Sequence, residues 1–423
     1  MTTTMTFNEP TKALMSRLIQ AGGFPYVVGG AVRDFVRRGK HYGGDIDIEV
    51  FGLNTLKIGL ALEGLDFDAV GRSFAVWKVK IDGQEFDVSL PRKEEKTGVG
   101  HLGFTVTEIP HATVREAASR RDFTINAMMA APDGTIVDPF GGRADLERGV
   151  LRHVSKAFSE DPLRVLRGAQ FAARFNMTMD EDTKHLCHML ISEFGTISKE
   201  RIWHEFHKML EATRTDLGFD VLQQTAWSMH FPNFSALFDR NVRYCVTAHG
   251  SIEMKLALCL REAPQEHLKA AMKEIDVPHS IQKKVLALHK ASAVYETFSG
   301  NVAQLARALD RLGLSLHDLT RFRSLNPRTT PVALSILSYA KNLGVFHGPL
   351  KNVVTGDLLI SMGFKPGPSF GAVLNEMEEI QDAGFFTADN AEEMVRRCMM
   401  KHGGGERPHS EYINVLLKAW DVT

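Results

Sequence analysis

Residues 43–51 read Gly-Gly-Asp-Ile-Asp-Ile-Glu-Val-Phe. From position 46 to 51 apolar side chains recur at every second residue, which predicts a β-strand with one buried face. Strand alternation then places Asp45 and Asp47 on one face, roughly 7 Å apart. Two carboxylates held this way repel each other unless a cation lies beside them. Mg²⁺ takes a few carboxylate oxygens together with water and substrate phosphates, so the pair is a candidate metal site. The same spacing also occurs on polar strand faces, so it needs a companion feature.

That companion lies upstream. Residues 25–29 (PYVVG) form a short β-branched run, and residues 31–38 have helical character that stops at Gly39. Gly29 and Gly30 at this strand-to-helix junction permit close backbone approach and leave free N–H groups at a helix N-terminus, a phosphate cradle. Arg33, one turn into the helix, can reach the same phosphates as a bidentate donor. A phosphate cradle beside a two-carboxylate strand describes metal-assisted phosphoryl or nucleotidyl transfer. Residues 75–81 and 85–90 predict two further strands joined at Asp82-Gly83, a hairpin turn. Asp87 on the second of them is either a third carboxylate or a solvent-facing strand residue. Residues 136–137 predict another short strand.

Beyond about residue 145 helical periodicity dominates, interrupted at Pro232, Pro278, Pro327, Pro349 and Pro366. The expected fold class is therefore α+β, a small mixed-sheet head followed by an all-α remainder. With 423 residues and 44% hydrophobic content, the chain has material for two to four domains. Lys and Arg total 50 against 51 Asp and Glu, which excludes coating of nucleic acid by bulk charge but leaves room for a local basic groove. The four cysteines form no CxxC pair, so a zinc knuckle is not expected and a reducing compartment is. The N-terminus lacks a signal-peptide pattern, and no run approaches the ~20 apolar residues of a membrane span. A cytoplasmic protein is expected.

The chain resembles the tRNA nucleotidyltransferases (CCA-adding enzymes) and bacterial poly(A) polymerases of the polymerase-β-like superfamily. The resemblance rests on residues 29–34 (GGAVRD), 45–47 (DID), 71–74 (GRSF), 120–128 (RRDFTINAM), 137–142 (VDPFGG) and 160–167 (EDPLRVLR), in that order. Residues 355–371 (TGDLLISMGFKPGPSFG) resemble a tail segment of such enzymes. The resemblance implies a catalytic head over residues 1–145, a base-selecting neck over 146–212, a helical body over 213–330 and a tRNA-binding tail over 331–423. It implies that Asp45 and Asp47, with Asp87 as a possible third, bind Mg²⁺. Gly29, Gly30 and Arg33 would hold the triphosphate, and Arg121 would contact the nucleotide. Asp161, Arg164 and Arg167 would read the base, with Gln170 standing where the family often has a further arginine.

The chemistry of that last assignment is sound. A carboxylate accepts from the exocyclic amine of C or A, while a guanidinium donates to cytosine N3 or adenine N1. U and G offer a carbonyl where the amine is needed. The alternative reading of Asp161 and Arg164 is a helix cap with an i,i+3 ion pair. The implied reaction is attack of an RNA 3′-hydroxyl on the α-phosphate of CTP or ATP, with loss of pyrophosphate. RNA contacts would come from local charge: residues 310–351 hold six Lys or Arg against two Asp or Glu, with Arg321, Arg323 and Arg328 around Phe322. Lys365, in Lys365-Pro366-Gly367, suits a phosphate contact. Arg396, Arg397, Lys401 and Arg407 form a second basic cluster. Residues 255–263 (KLALCLREA) show Leu260-Arg261 where relatives with a phosphohydrolase domain carry His-Asp, so no second activity is expected. No obligate protein partner is implied. The alternatives are a poly(A) polymerase, disfavoured by Ser73 after Gly-Arg, a CC-only or A-only enzyme, and an inactive RNA-binding protein on the same scaffold.

Overall fold

The structure is a computed structural model that describes residues 4–39, 44–70, 76–96, 104–234, 239, 243, 246–247, 251–261, 263–296, 301–324, 338–362, 365–384 and 390–403. The GRSF segment, Arg328 and Arg407 lie outside the described residues, as does the side chain of Arg321. The chain divides into two compact units, residues 1–279 and 280–423.

The first unit opens with helix α1 (Glu9–Gln20), whose first turn is capped by Asn8 accepting from the Thr11 N–H. Strand β1 (Phe24–Val28) turns at Gly29 into α2 (Gly30–Arg38). Gly29 has φ +70°, a conformation that side chains with a Cβ resist. Strand β2 (Ile46–Phe51), α3 (Thr55–Leu62), β3 (Asp66–Val70), β4 (Val76–Ile81) and β5 (Gln84–Ser89) follow. As expected, Asp82 and Gly83 turn β4 into β5, both with positive φ. Strands β6 (Arg92–Lys96) and β7 (Phe104–Glu108) form a separate antiparallel ribbon. Helix α4 (Val114–Ser119) carries a capping box from Thr113 and Glu116. Strands β8 (Met129–Ala130) and β9 (Ile136–Val137) complete a seven-stranded mixed sheet of order β3-β4-β5-β2-β1-β8-β9.

Only β2 and β5 run parallel in that sheet, with Asp47 opposite Asp87 and Glu49 opposite Ser89. Ile46, Ile48 and Val50 point to one face and join Phe86, Val88, Trp77, Val79 and Leu14 in the main core. The opposite face of β2 and β5 therefore carries Asp47, Glu49 and Asp87. This alternation follows directly from the period-two pattern.

Helices then take over: α5 (Gly142–Arg148), α6 (Leu163–Phe175), α7 (Glu181–Met189), α8 (Lys199–Glu211), α9 (Thr215–Gln224), α10 (Ile252–Cys259) and α11 (Gln265–Glu274). One expectation is corrected here, since this stretch is not purely helical. Strands β10 (Val150–Leu151) and β11 (Thr178–Met179) form a parallel pair on either side of α6. Two-residue strands are too short to show a period, so the pairing is set by the packing of the segments that flank the helix. The second unit contains α12 (His279–Glu296), α13 (Val302–Asp310), α14 (Leu316–Ser324), α15 (Gly356–Ser361), α16 (Pro368–Asp382) and α17 (Ala391–Gly403). One of its cores gathers Val354, Leu359, Val373, Met377, Val395 and Cys398. The buried guanidinium of Arg307 pairs with Asp382 and donates to Asn352 Oδ1 at 2.7 Å.

Candidate active site

Asp45 lies immediately before β2 and Asp47 is its second residue; both are exposed. The β2–β5 register brings Asp87 alongside Asp47. The Asp87 carboxylate accepts from Lys78 Nζ at 3.0 and 3.3 Å. Withdrawal of water by the surrounding protein pushes the Asp47 carboxyl above its ordinary range, Arg121 opposes this, and Asp87, Asp45 and Glu49 add to it. Asp45 and Asp47 at the start of β2, with Asp87 brought alongside by the β2–β5 register, offer the carboxylate oxygens that a hard dication takes, so the residue types present fit Mg²⁺.

The glycine turn sits against this cluster. A Cβ on Gly29 would lie 3.3 Å from Asp47 Oδ2 and 3.5 Å from Arg121 Nη1. Gly29, Asp47 and Arg121 therefore meet. Arg33 behaves differently from the expected phosphate hand. It is 6% exposed, its Nε donates to Asp34 at 2.9 Å, and its Nη1 donates to Asn126 Oδ1 at 2.8 Å. Its guanidinium also stacks 4.4 Å from the Phe175 ring centroid. Arg33 Nη2 lies 3.5 Å from the position a Cβ on Gly30 would take, so the charge sits beneath the turn.

Residues 120–126 join the carboxylate strand to α6. Arg120 and Arg121 each donate through Nη2 to one oxygen of the fully buried Glu49, at 3.0 and 3.1 Å. Asp122 accepts from Arg167 Nε at 2.8 Å, from Asn126 Nδ2 at 3.0 Å and from the Phe123 N–H at 2.7 Å. Burial alone would raise its pKa, but Arg167 and then Asn126 hold it below the usual carboxylate range. A continuous relay thus runs Arg33–Asn126–Asp122–Arg167. The Phe123 ring seats edge-on against Phe158 and Phe171, its centroid 5.4 and 5.8 Å from theirs.

Asp161 and Arg164 do not pair with each other. Asp161 precedes α6, its Oδ1 accepting from the Leu163 N–H at 3.1 Å and its Oδ2 from Arg201 Nη2 at 2.7 Å. Arg164 donates to the carbonyls of Ala157 at 2.6 Å and Arg120 at 2.7 Å. Each group is therefore clamped by a separate partner, with donor or acceptor capacity left over. Of the alternative reading, the i,i+3 ion pair does not form, since Asp161 lies outside the helix, while its carboxylate does accept from a first-turn N–H, that of Leu163. Gln170 is buried and accepts from Arg174 Nη1 at 3.2 Å.

In the second unit Arg323 is 9% exposed and donates to Ser292 O at 2.8 Å, so it points inward rather than offering charge at the surface. Lys365 is exposed ahead of Pro366 and Gly367. Arg397 pairs with Glu393, and Lys401 with Glu376. Sequence reasoning gave no role to Glu49 or Arg201, nor, within the 120–128 motif, to Asp122 and Asn126. Of these, Glu49 left a signal, a third acid in phase with Asp45 and Asp47; the others act across long stretches of chain.

Residues 25–152 match a family described as the Poly A polymerase head domain, and residues 176–237 match one described as a probable RNA and SrmB-binding site of polymerase A. The Multifunctional CCA protein of Nitrosococcus oceani is 40% identical over 219 residues, covering 50% of this chain and 51% of the relative. That of Vibrio campbellii is 34% identical over 263 residues, covering 57% and 62%. The chain thus spans about half to three-fifths of the length of these curated relatives. Among solved structures, a Bacillus stearothermophilus CCA-adding enzyme in complex with CTP superposes with a TM-score of 0.67 at 22% identity, over 92% of this chain and 98% of the other. A Thermotoga maritima CCA-adding enzyme complexed with tRNA gives a TM-score of 0.57 at 20% identity, over 98% and 96%. These two likenesses show a shared fold.

Proposed function

We propose that the chain is a member of the tRNA nucleotidyltransferase and poly(A) polymerase family, a reading supported by its head-domain match and its relatives, and that it adds C and A nucleotides to the 3′ end of tRNA without a nucleic-acid template, using CTP and ATP and releasing pyrophosphate. The observation that carries this reading is the register of Asp47 with Asp87 against the Gly29 turn. Relatives named for CCA and solved homologues bearing CTP or tRNA support the choice of substrates.

In this reading residues 1–145 are the catalytic head, 146–212 the neck, 213–330 the body and 331–423 the tail. Asp45 and Asp47 hold Mg²⁺, with Asp87 as third carboxylate. Bound Mg²⁺ would supply the Lewis acidity that lowers the pKa of the RNA 3′-hydroxyl and offsets charge on the departing pyrophosphate. The Gly29–Gly30 turn offers backbone N–H groups to the triphosphate. Arg33 acts from beneath that turn, adding positive charge and fixing α2 to Asn126. Arg121 lies where a nucleotide held at the turn would pass. Asp161 and Arg164, clamped by Arg201 and by two carbonyls, present an acceptor and a donor to the base edge, and Arg167 is held in line by Asp122. Lys365, exposed ahead of Pro366 and Gly367, is available for RNA backbone contact. The expected setting is the cytoplasm.

The test is incorporation of labelled CTP and ATP, together and separately, into tRNA shortened by three, two and one nucleotides. CC then A on the first, and A alone on the last, are the expected products. A tails of unlimited length, or products that stop after CC or accept only A, overturn the reading.

A further inference from the structure

We propose that Glu49 is a positioning residue that holds the Arg121 guanidinium off the metal-binding face of Asp47. The inference rests on the assignment of Asp45 and Asp47 as metal ligands. Glu49 is two residues beyond Asp47 on the same face of β2, yet it is 0% exposed while Asp47 is exposed. Its two oxygens are divided between two arginines, Arg120 at 3.0 Å and Arg121 at 3.1 Å. Arg121 commits Nη2 to Glu49, while Nη1 faces the same point beside Gly29 that Asp47 Oδ2 faces, 3.5 and 3.3 Å away. A guanidinium so placed has two carboxylates within range of a short swing. A bidentate pair with Asp47 would occupy the oxygens a cation needs. The other charges facing this group are Asp45 and Asp87, with Lys78 held by Asp87 and Arg120 sharing Glu49.

The geometry separates two roles that a purely electrostatic view would merge. If Glu49 merely adds negative charge, removing Arg121 strengthens cation binding equally whether or not Glu49 is present. If Glu49 restrains Arg121, removing Arg121 matters far more once Glu49 is gone.

The experiment is a titration of the full chain with Mn²⁺ alone, read by electron paramagnetic resonance without RNA or nucleotide, across Glu49→Gln, Arg121→Gln and the double variant. Glu49→Gln is expected to weaken Mn²⁺ binding about tenfold, Arg121→Gln to change it by less than about twofold, and the double variant to recover to within about twofold of the parent. Equal strengthening by Arg121→Gln in both backgrounds overturns the proposal, as does a double variant as weak as Glu49→Gln. Should Glu49→Gln fail to melt cooperatively, Glu49→Asp enters the same cycle, with the same sign and a smaller effect expected. Asp47→Asn separates the two levels: Mn²⁺ binding that survives it overturns the metal assignment itself, whereas Asp47-dependent binding without coupling overturns only the role of Glu49.

Discussion

Asp122 is a single buried carboxylate that serves two sides of the site, accepting from Arg167 on α6 and from Asn126, which in turn holds Arg33. Its folded pKa lies below the ordinary value because Arg167 and Asn126 outweigh burial. A depressed carboxylate stabilises the fold fully above its unfolded pKa of about 3.9 and loses that contribution as pH falls through the folded value. Asp122→Asn should therefore lower stability by about 2 kcal/mol at pH 7, a figure discounted because Arg167 keeps a third of its surface in water. Thermal melts of parent and variant at pH 7 and near pH 3 check this: the gap should narrow in acid, and a gap independent of pH contradicts the assignment. At this scale the candidate site residues were visible in the sequence but their partners were not. Asp45, Asp47, Gly29 and Asp87 were legible because each belongs to a local pattern. The pairs Glu49–Arg121 and Asp161–Arg201 were not, because folding alone brings such distant residues together. The inward turn of Arg323 was likewise hidden, since a basic residue on a helix reads the same whether its face is buried or wet.

Among elements, α6 is the hinge of the account, carrying Arg164 and Arg167 on one side while packing against α8 and α9 on the other. Its close approach to α9 depends on Gly218, where an added Cβ would lie 2.5 Å from Met209 Sδ and 3.0 Å from the Ala169 carbonyl oxygen. Alanine has the higher helix propensity by about 1 kcal/mol, but the contact with backbone cannot yield as a side chain can. Gly218→Ala is expected to lower Tm by about 3–6 °C, and an unchanged or raised Tm would show that the helices have room to separate. The strands β1, β2, β4, β5 and β9 were readable from alternation or turn residues. Strand β6 (RKEEK) was not, having no apolar phase, and β3 (DFDAV) and β7 (FTVTE) went unread although they alternate over their five residues.

At the scale of the whole molecule, the near-balance of 50 basic and 51 acidic residues gains a structural meaning. In the first unit many of the charges pair inside a relay that positions the site. In the second they tie helices to one another, as Arg307 does with Asp382 and Lys401 with Glu376. That balance leaves no bulk positive charge for a uniform hold on nucleic acid, which suits the proposed release of each finished product. Catalysis and RNA capture are thus expected to be separable, since the first depends on the carboxylate face and the second on dispersed contacts. The most direct measurement replaces Asp45 and Asp47 together by alanine and follows nucleotide incorporation and tRNA binding in the same preparation. Incorporation is expected to fall by at least about 10³-fold while tRNA affinity stays within about threefold of the parent; incorporation near the parent rate would contradict the account.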